Sequence, residues 1–145
     1  METILDLDDN RIQNFRFAGF WIRFAAAFID GLIVSAASSL LALIFLGGAS
    51  YYSFTSNPYS FLVGWLYFAG MESSSSLGTI GKISMGIKVV NEQGERISFL
   101  NATGRYFAKI ISTIILFIGY IMAAFDLRHQ ALHDKLAKTF VIHSR

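Results

Sequence analysis

Positions 31–71 carry no charged side chain, 41 residues in a row. At about 20 residues per crossing, that run is long enough for two membrane helices. The pattern predicts the first over 19–46, about 42 Å of helix. This exceeds a hydrocarbon core of about 30 Å, so the helix must tilt or leave an interfacial first turn carrying Arg23. Residues 47–60 (GGASYYSFTSNPYS) break the run with two glycines, the only proline and three tyrosines. A second span is predicted over 59–77, its polar end beginning at Glu72 and the four serines that follow.

Beyond residue 82 the period changes. Residues 83–90 (ISMGIKVV) alternate, with Met85, Ile87 and Val89 on one face. Residues 95–99 alternate again after the turn Asn91-Glu92-Gln93-Gly94, so the pattern predicts a β-hairpin over about 83–99. A further β-like stretch, 139–143, could add a third strand. The third apolar segment covers 106–125. Its uncharged part, 110–125, is only 16 residues, and it reaches the length of a span only if Lys109 snorkels to the interface. Fold class follows: an all-α membrane protein with two full transmembrane helices, a third segment that is bent or re-entrant, and a small cytoplasmic β-hairpin. Residues 1–14 form a polar tail and 15–143 the membrane domain.

Lysine and arginine placement orients it. Arg11 and Arg16 precede the first span, no basic residue follows it directly, and Lys82, Lys88, Arg96 and Arg105 follow the second. The N-terminus and hairpin therefore face the cytoplasm. A plain third crossing would export Arg128, Lys135, Lys138 and Arg145. Pairing of 139–143 with the hairpin would instead make 99–125 re-entrant, tolerable only where protein covers its turn.

Composition sharpens this reading. Hydrophobic residues are 54% and charged residues 15%, against roughly 25% charged in soluble domains. The net charge of +2 lies in short loops beside apolar segments, which implies membrane topology and no nucleic-acid partner. Four acidic residues within the first ten positions contradict a cleavable signal peptide. Cysteine is absent, excluding disulfides and thiolate metal sites.

Asp30 is the costly residue. A carboxylate at the centre of a membrane helix disfavours insertion by roughly 2.5–3.5 kcal/mol, so it needs a partner, a cavity or a task. Arg23 lies seven positions earlier, on the same helix face and about 10.5 Å along the axis. Asp30 is thus a candidate cation or proton site tuned by Arg23, or a structural acceptor locking the helices. Glu72 would sit at the cytoplasmic mouth of such a site. His133 and Asp134 form a His-Asp pair, with Asp134 at a helix end or paired to a basic residue of the membrane helices. Gly78-Thr79-Ile80-Gly81-Lys82 fails as a phosphate loop: the glycine five positions before Gly81 and the Ser or Thr after Lys82 are missing. His129 and His133 lack a third strong ligand for zinc, and no serine hydrolase arrangement is indicated. No enzyme activity, metal or cofactor is implied.

The segments AGFWIRFAAAFID (18–30), LYFAGMESSSSLGTIGK (66–82), IKVVNEQG (87–94) and QALHDKLAKTFVI (130–142) resemble the RDD family of prokaryotic membrane proteins, in that order. The resemblance implies that Arg23 is the family's arginine, Asp30 its first aspartate and Asp134 its second. Many members have Thr-Pro-Gly-Lys where this chain has Thr79-Ile80-Gly81-Lys82. It also implies a multi-pass protein for which transport, including cation/proton exchange, has been suggested. Three short helices cannot enclose a water-filled path, so a transporting form would be a homo-oligomer or paired with another membrane subunit, within the lipid bilayer. The competing expectation is a non-transporting accessory or assembly protein for other membrane complexes.

Overall fold

The structure, a computed structural model, describes residues 15–46, 58–114 and 118–144. Helix α1 spans Phe20–Leu46. Among the described residues, its stretch Phe20–Phe45 is the one helix long and apolar enough to cross a membrane. Trp21, Phe24, Phe28 and Leu32 point outward, Trp21 with 78% of its surface exposed, while Ala26 and Asp30 face inward and are buried. An apolar exterior around a polar interior suits hydrocarbon and not water.

Helix α2, Pro58–Glu72, has 15 residues, about 22 Å, and stops short of the expected limit at 77. The serines after it explain the stop. Ser73 and Ser74 donate their hydroxyls back to the carbonyls of Ala69 and Met71, each at 2.6 Å. Leu77 then takes a left-handed backbone (φ 58°) that no helix continues through. The short helix α3, Ile80–Ser84, follows, and then strand β1, Ile87–Asn91.

The expected hairpin over 83–99 is not formed. β1 pairs antiparallel with β2, Thr139–His143, with Val89 opposite Val141. Residues 95–99 are claimed by other bonds. The Asn91 side chain accepts from the amides of Gln93 (3.0 Å) and Glu95 (2.8 Å), curling the turn. Ser98 then caps helix α4, Phe99–Ile114, by accepting from the Asn101 amide at 3.1 Å. Alternation alone could not distinguish a strand from a capped helix start. β2 lies between β1 and a bridge to Phe17, so it is the middle of the sheet.

Helix α5, Ile118–Phe125, packs on α4, and the short helix α6, Leu132–Leu136, returns to α4 before β2. The expected segment 106–125 is therefore two helices, and its first begins at Phe99. The sheet gathers Phe17, β1 and β2 at one end of the molecule.

An internal repeat underlies this end. Leu77 and His129 both have positive φ, Thr79 and Ala131 are both extended N-caps, and Gly86 and Lys138 are both left-handed after a five-residue helix. Each pair is 52 residues apart, as are β1 and β2. The two helix–strand units share a backbone path and almost no sequence. An approximate two-fold relates them at the Val89–Val141 pair.

The core beneath is built from small side chains. Ala18, Ala26, Ala69 and Ala102 pack with Ile87, Val89, Ile97 and Val141. Small residues let helix backbones approach closely, which is how membrane helices gain packing contacts.

Candidate functional site: a buried charge cluster beside Asp30

Asp30 is 1% exposed. Its Oδ1 accepts from the Tyr67 hydroxyl at 2.8 Å and the Gly81 amide at 2.9 Å, and its Oδ2 from the Thr79 hydroxyl at 2.5 Å. Three donors from α2, α3 and the N-cap of α3 converge on one carboxylate of α1. Thr79 also accepts from the Lys82 amide at 3.4 Å, so the hydroxyl that caps α3 is the one that reaches Asp30. Hydrogen bonds to the charged form are what allow an ion to be buried.

Arg23 does not serve Asp30. Its guanidinium pairs with Asp134 and donates to the His129 carbonyl at 2.5 Å. That carbonyl is placed by a turn wound on Asp126, whose Oδ2 accepts from the Arg128 amide (3.0 Å) and the Gln130 amide (3.2 Å). Asp134 lies at the third position of α6 and also accepts from the Ala131 amide at 3.2 Å. Its other oxygen pairs with Arg105, which is 0% exposed. Arg105 grips Glu72 with its second arm, and Glu72 also pairs with Lys82 and, at 3.3 Å, with Lys109. Arginine fits this place because its planar fork can hold two carboxylates at once. The cluster ties α1, α2, α3, α4 and α6 together.

Protonation at its α6 edge follows from burial and charge. Burial opposes ionisation of Asp134, but Arg23 and Arg105 outweigh it and hold the carboxyl well below its ordinary 3.8. Burial pushes His133 down from 6.5 to about 3, against the pull of Asp134 3.4 Å away. The signs agree. A depressed His133 keeps the fold neutral there while the unfolded chain takes up a proton, so stability falls as pH drops from 6.5 towards 3. The Asp134 contribution is present above 3.8 and is lost as pH falls through the lower folded value. Thermal unfolding in detergent should therefore show a melting temperature that declines below pH 6.5 and steepens below 4, with His133→Gln flattening the upper part.

The sequence-selected residues thus fall in two neighbouring places. Arg23, Glu72, His133 and Asp134 meet in the cluster, while Asp30 stands on its own set of donors. Glu72 is 1% exposed, not a residue at an open mouth. Lys82 and Arg105, counted by sequence as loop charges, are inside. Arg105, Lys82, Lys109, Tyr67 and Thr79 are the residues that sequence reasoning missed. For Arg105 a signal existed: Ala102, Arg105, Ala108 and Ser112 recur at helical spacing and are all buried.

A buried charge cluster inside an apolar exterior with a membrane-length helix is the make-up of a small membrane protein. The chain belongs to the RDD family, whose model matches residues 17–138. It is similar to "Uncharacterized protein YxaI" of Bacillus subtilis (strain 168), 42% identical over 151 aligned positions covering 87% of this chain and 97% of that protein. It is also similar to "Uncharacterized membrane protein YteJ" of the same organism, 29% identical over 141 positions covering 89% and 82%. No solved structure matches.

Proposed function

We propose that this chain is a non-transporting accessory protein of the bacterial cytoplasmic membrane, meeting another membrane subunit or a second copy through its apolar exterior. The observation that carries this reading is the occupancy of Asp30. Tyr67, Thr79 and Gly81 all present hydrogens to it, so its lone pairs are spent on holding α3 against α1. A cation site needs oxygen lone pairs turned inward; here the carboxylate is surrounded by donors. With the sheet end in the cytoplasm, α4 and α5 enter and leave the bilayer on that side, and exposed Arg16, Arg96, Arg128 and Lys138 face the anionic leaflet.

A second reading has its own support. Glu72, Asp134 and His133 are buried together in one cluster, and carboxylates and histidines are the groups that membrane proton relays use. Reconstitution separates the two. Purified protein in liposomes should carry Na+, K+ and H+ no faster than empty liposomes, and Asp30→Asn should lower stability by about 1–3 kcal/mol by facing a donor with a donor. A wild-type flux that Asp30→Asn abolishes would replace the accessory reading with transport.

A further inference from the structure

The 52-residue repeat extends back into the turns that precede α3 and α6. The Leu77 amide bonds the Ser74 carbonyl at 3.1 Å, and the Ser74 hydroxyl accepts from the Ser76 amide at 3.3 Å. In the second unit the His129 amide bonds the Asp126 carbonyl at 3.0 Å, and Asp126 Oδ2 accepts from the Arg128 amide at 3.0 Å. One backbone path carries two unlike surfaces. Where the first turn has Ser73 and Ser75, the second has Phe125 and Leu127, which are 86% and 97% exposed. Serine suffices for this turn, so the fold itself does not call for two large apolar side chains pointing outward.

The short helices make the reverse exchange. After its serine turn α3 exposes Ile80 and Ile83, at 45% and 48%. At those two places α6 has the partly buried Leu132 and the exposed Lys135, and it adds exposed Leu136 where α3 has Ser84. Each unit thus shows apolar side chains at this end, through different residues. A single protein partner would meet one unit, whereas a medium that surrounds the molecule would meet both.

Depth identifies that medium as lipid. Helices α1 and α4 both leave the sheet end, and α2 and α5 both return to it, so the two-fold runs along the helices and equivalent residues lie at one depth. Gly81 lies against the Ala26 carbonyl, and Arg23 donates to the His129 carbonyl at 2.5 Å. Both α3 and the turn before α6 are therefore level with residues 23–26 of α1, within its membrane-length stretch Phe20–Phe45. Counted back from Phe45, a hydrocarbon core of about 30 Å takes about 20 residues and ends near Ala25. Exposed Trp21, just beyond that level, is the kind of residue that membrane interfaces collect. Lys135, paired with Asp126 at 2.6 Å, and Lys138 are exposed on either side of Leu136 in the chain. Apolar side chains flanked by basic ones are what interfacial segments carry.

We infer that Phe125, Leu127 and Leu136, with Ile80 and Ile83 of the other unit, form an apolar belt immersed in the bilayer leaflet on the side of the sheet, where acyl chains meet headgroups. The belt sets the depth at which the charge cluster sits, whether the chain assists another complex or moves ions.

Site-directed spin labelling tests this. The chain has no cysteine, so one introduced cysteine carries one nitroxide. Full-length Leu127→Cys, Leu136→Cys and Ile83→Cys, labelled and reconstituted into vesicles of phosphatidylglycerol and phosphatidylcholine, are compared with Gln93→Cys in the polar turn after β1. Collision of each label with oxygen, which concentrates in lipid, is measured against collision with a water-soluble nickel chelate. All three labels should show an oxygen-to-chelate ratio about threefold or more above that of Gln93→Cys. A ratio at Leu127 or Ile83 equal to that of Gln93→Cys puts the belt in water and overturns the inference. Poor collision with both reagents at either position overturns it as well, because a second copy would then be covering the patch. Failure at one of the two is enough, since lipid has to meet both units.

Discussion

Replacing Arg105 with alanine should destabilise the protein by about 3–5 kcal/mol, the largest single effect expected anywhere in the chain. The reason is what the change leaves behind. Glu72 and Asp134 are 1% and 0% exposed, and Arg105 touches both. Breaking a buried ion pair from one side strands the other charge without water to solvate it, which costs much more than the pair contributes. Lys82 and Lys109 would still meet Glu72 and Arg23 would still meet Asp134, but the arginine fork that joins the two acids would be gone. Arg105→Lys should recover less than half of the loss, because an ammonium cannot present two parallel arms. Thermal unfolding in detergent is the measurement, and a double-mutant cycle with Asp134→Asn isolates the pair. If Arg105→Ala melted within a degree or two of wild type, the cluster would not be holding these helices.

Gly81→Ala is the second. A Cβ on Gly81 would collide with the Ala26 carbonyl oxygen and come within 2.8 Å of Asp30 Cγ. Neither can retreat: one is α1 backbone, and the other is the carboxylate that Gly81 itself bonds. Overpacking of this kind costs about 1–3 kcal/mol and sometimes more. Here it also pushes α3 off α1 and breaks the hydrogen bond to Asp30, so a loss at the upper end of that range is expected. The control is Gly31→Ala on the neighbouring position of α1. A Cβ there meets nothing within 4 Å, and helix propensity favours alanine by about 1 kcal/mol. The two substitutions should therefore move the melting temperature in opposite directions.

Much of this architecture was legible in the sequence, and the failures have physical causes. The membrane helix was visible as an uncharged run, because hydrocarbon removes the option of a polar face. The inward face of α1 was legible from the seven-residue spacing of Arg23 and Asp30, yet that spacing could not say whom each would bond. Long-range partners are set by the turn on Asp126 and by the return of α6 to α4, neither of which has a local signature. The hairpin error came from 95–99, where alternation persists while Ser98 starts a helix. Pairing of β1 with a strand 52 residues later is a non-local choice. Arg105 was missed because a charge near a predicted loop reads as solvated, and only its neighbours Ala102 and Ala108 hint otherwise.

Strand β1 is complete at Asn91, but its partner begins at Thr139. At about 5–20 residues per second, a ribosome needs roughly 2–10 s to make the intervening chain. Throughout that interval the nascent protein carries an open strand edge, and from the synthesis of Arg105 to that of Asp134 the arginine has only one of its two acids. Biogenesis therefore has a vulnerable window set by the order of the chain, during which the insertion machinery has to shield what the final strand will later close.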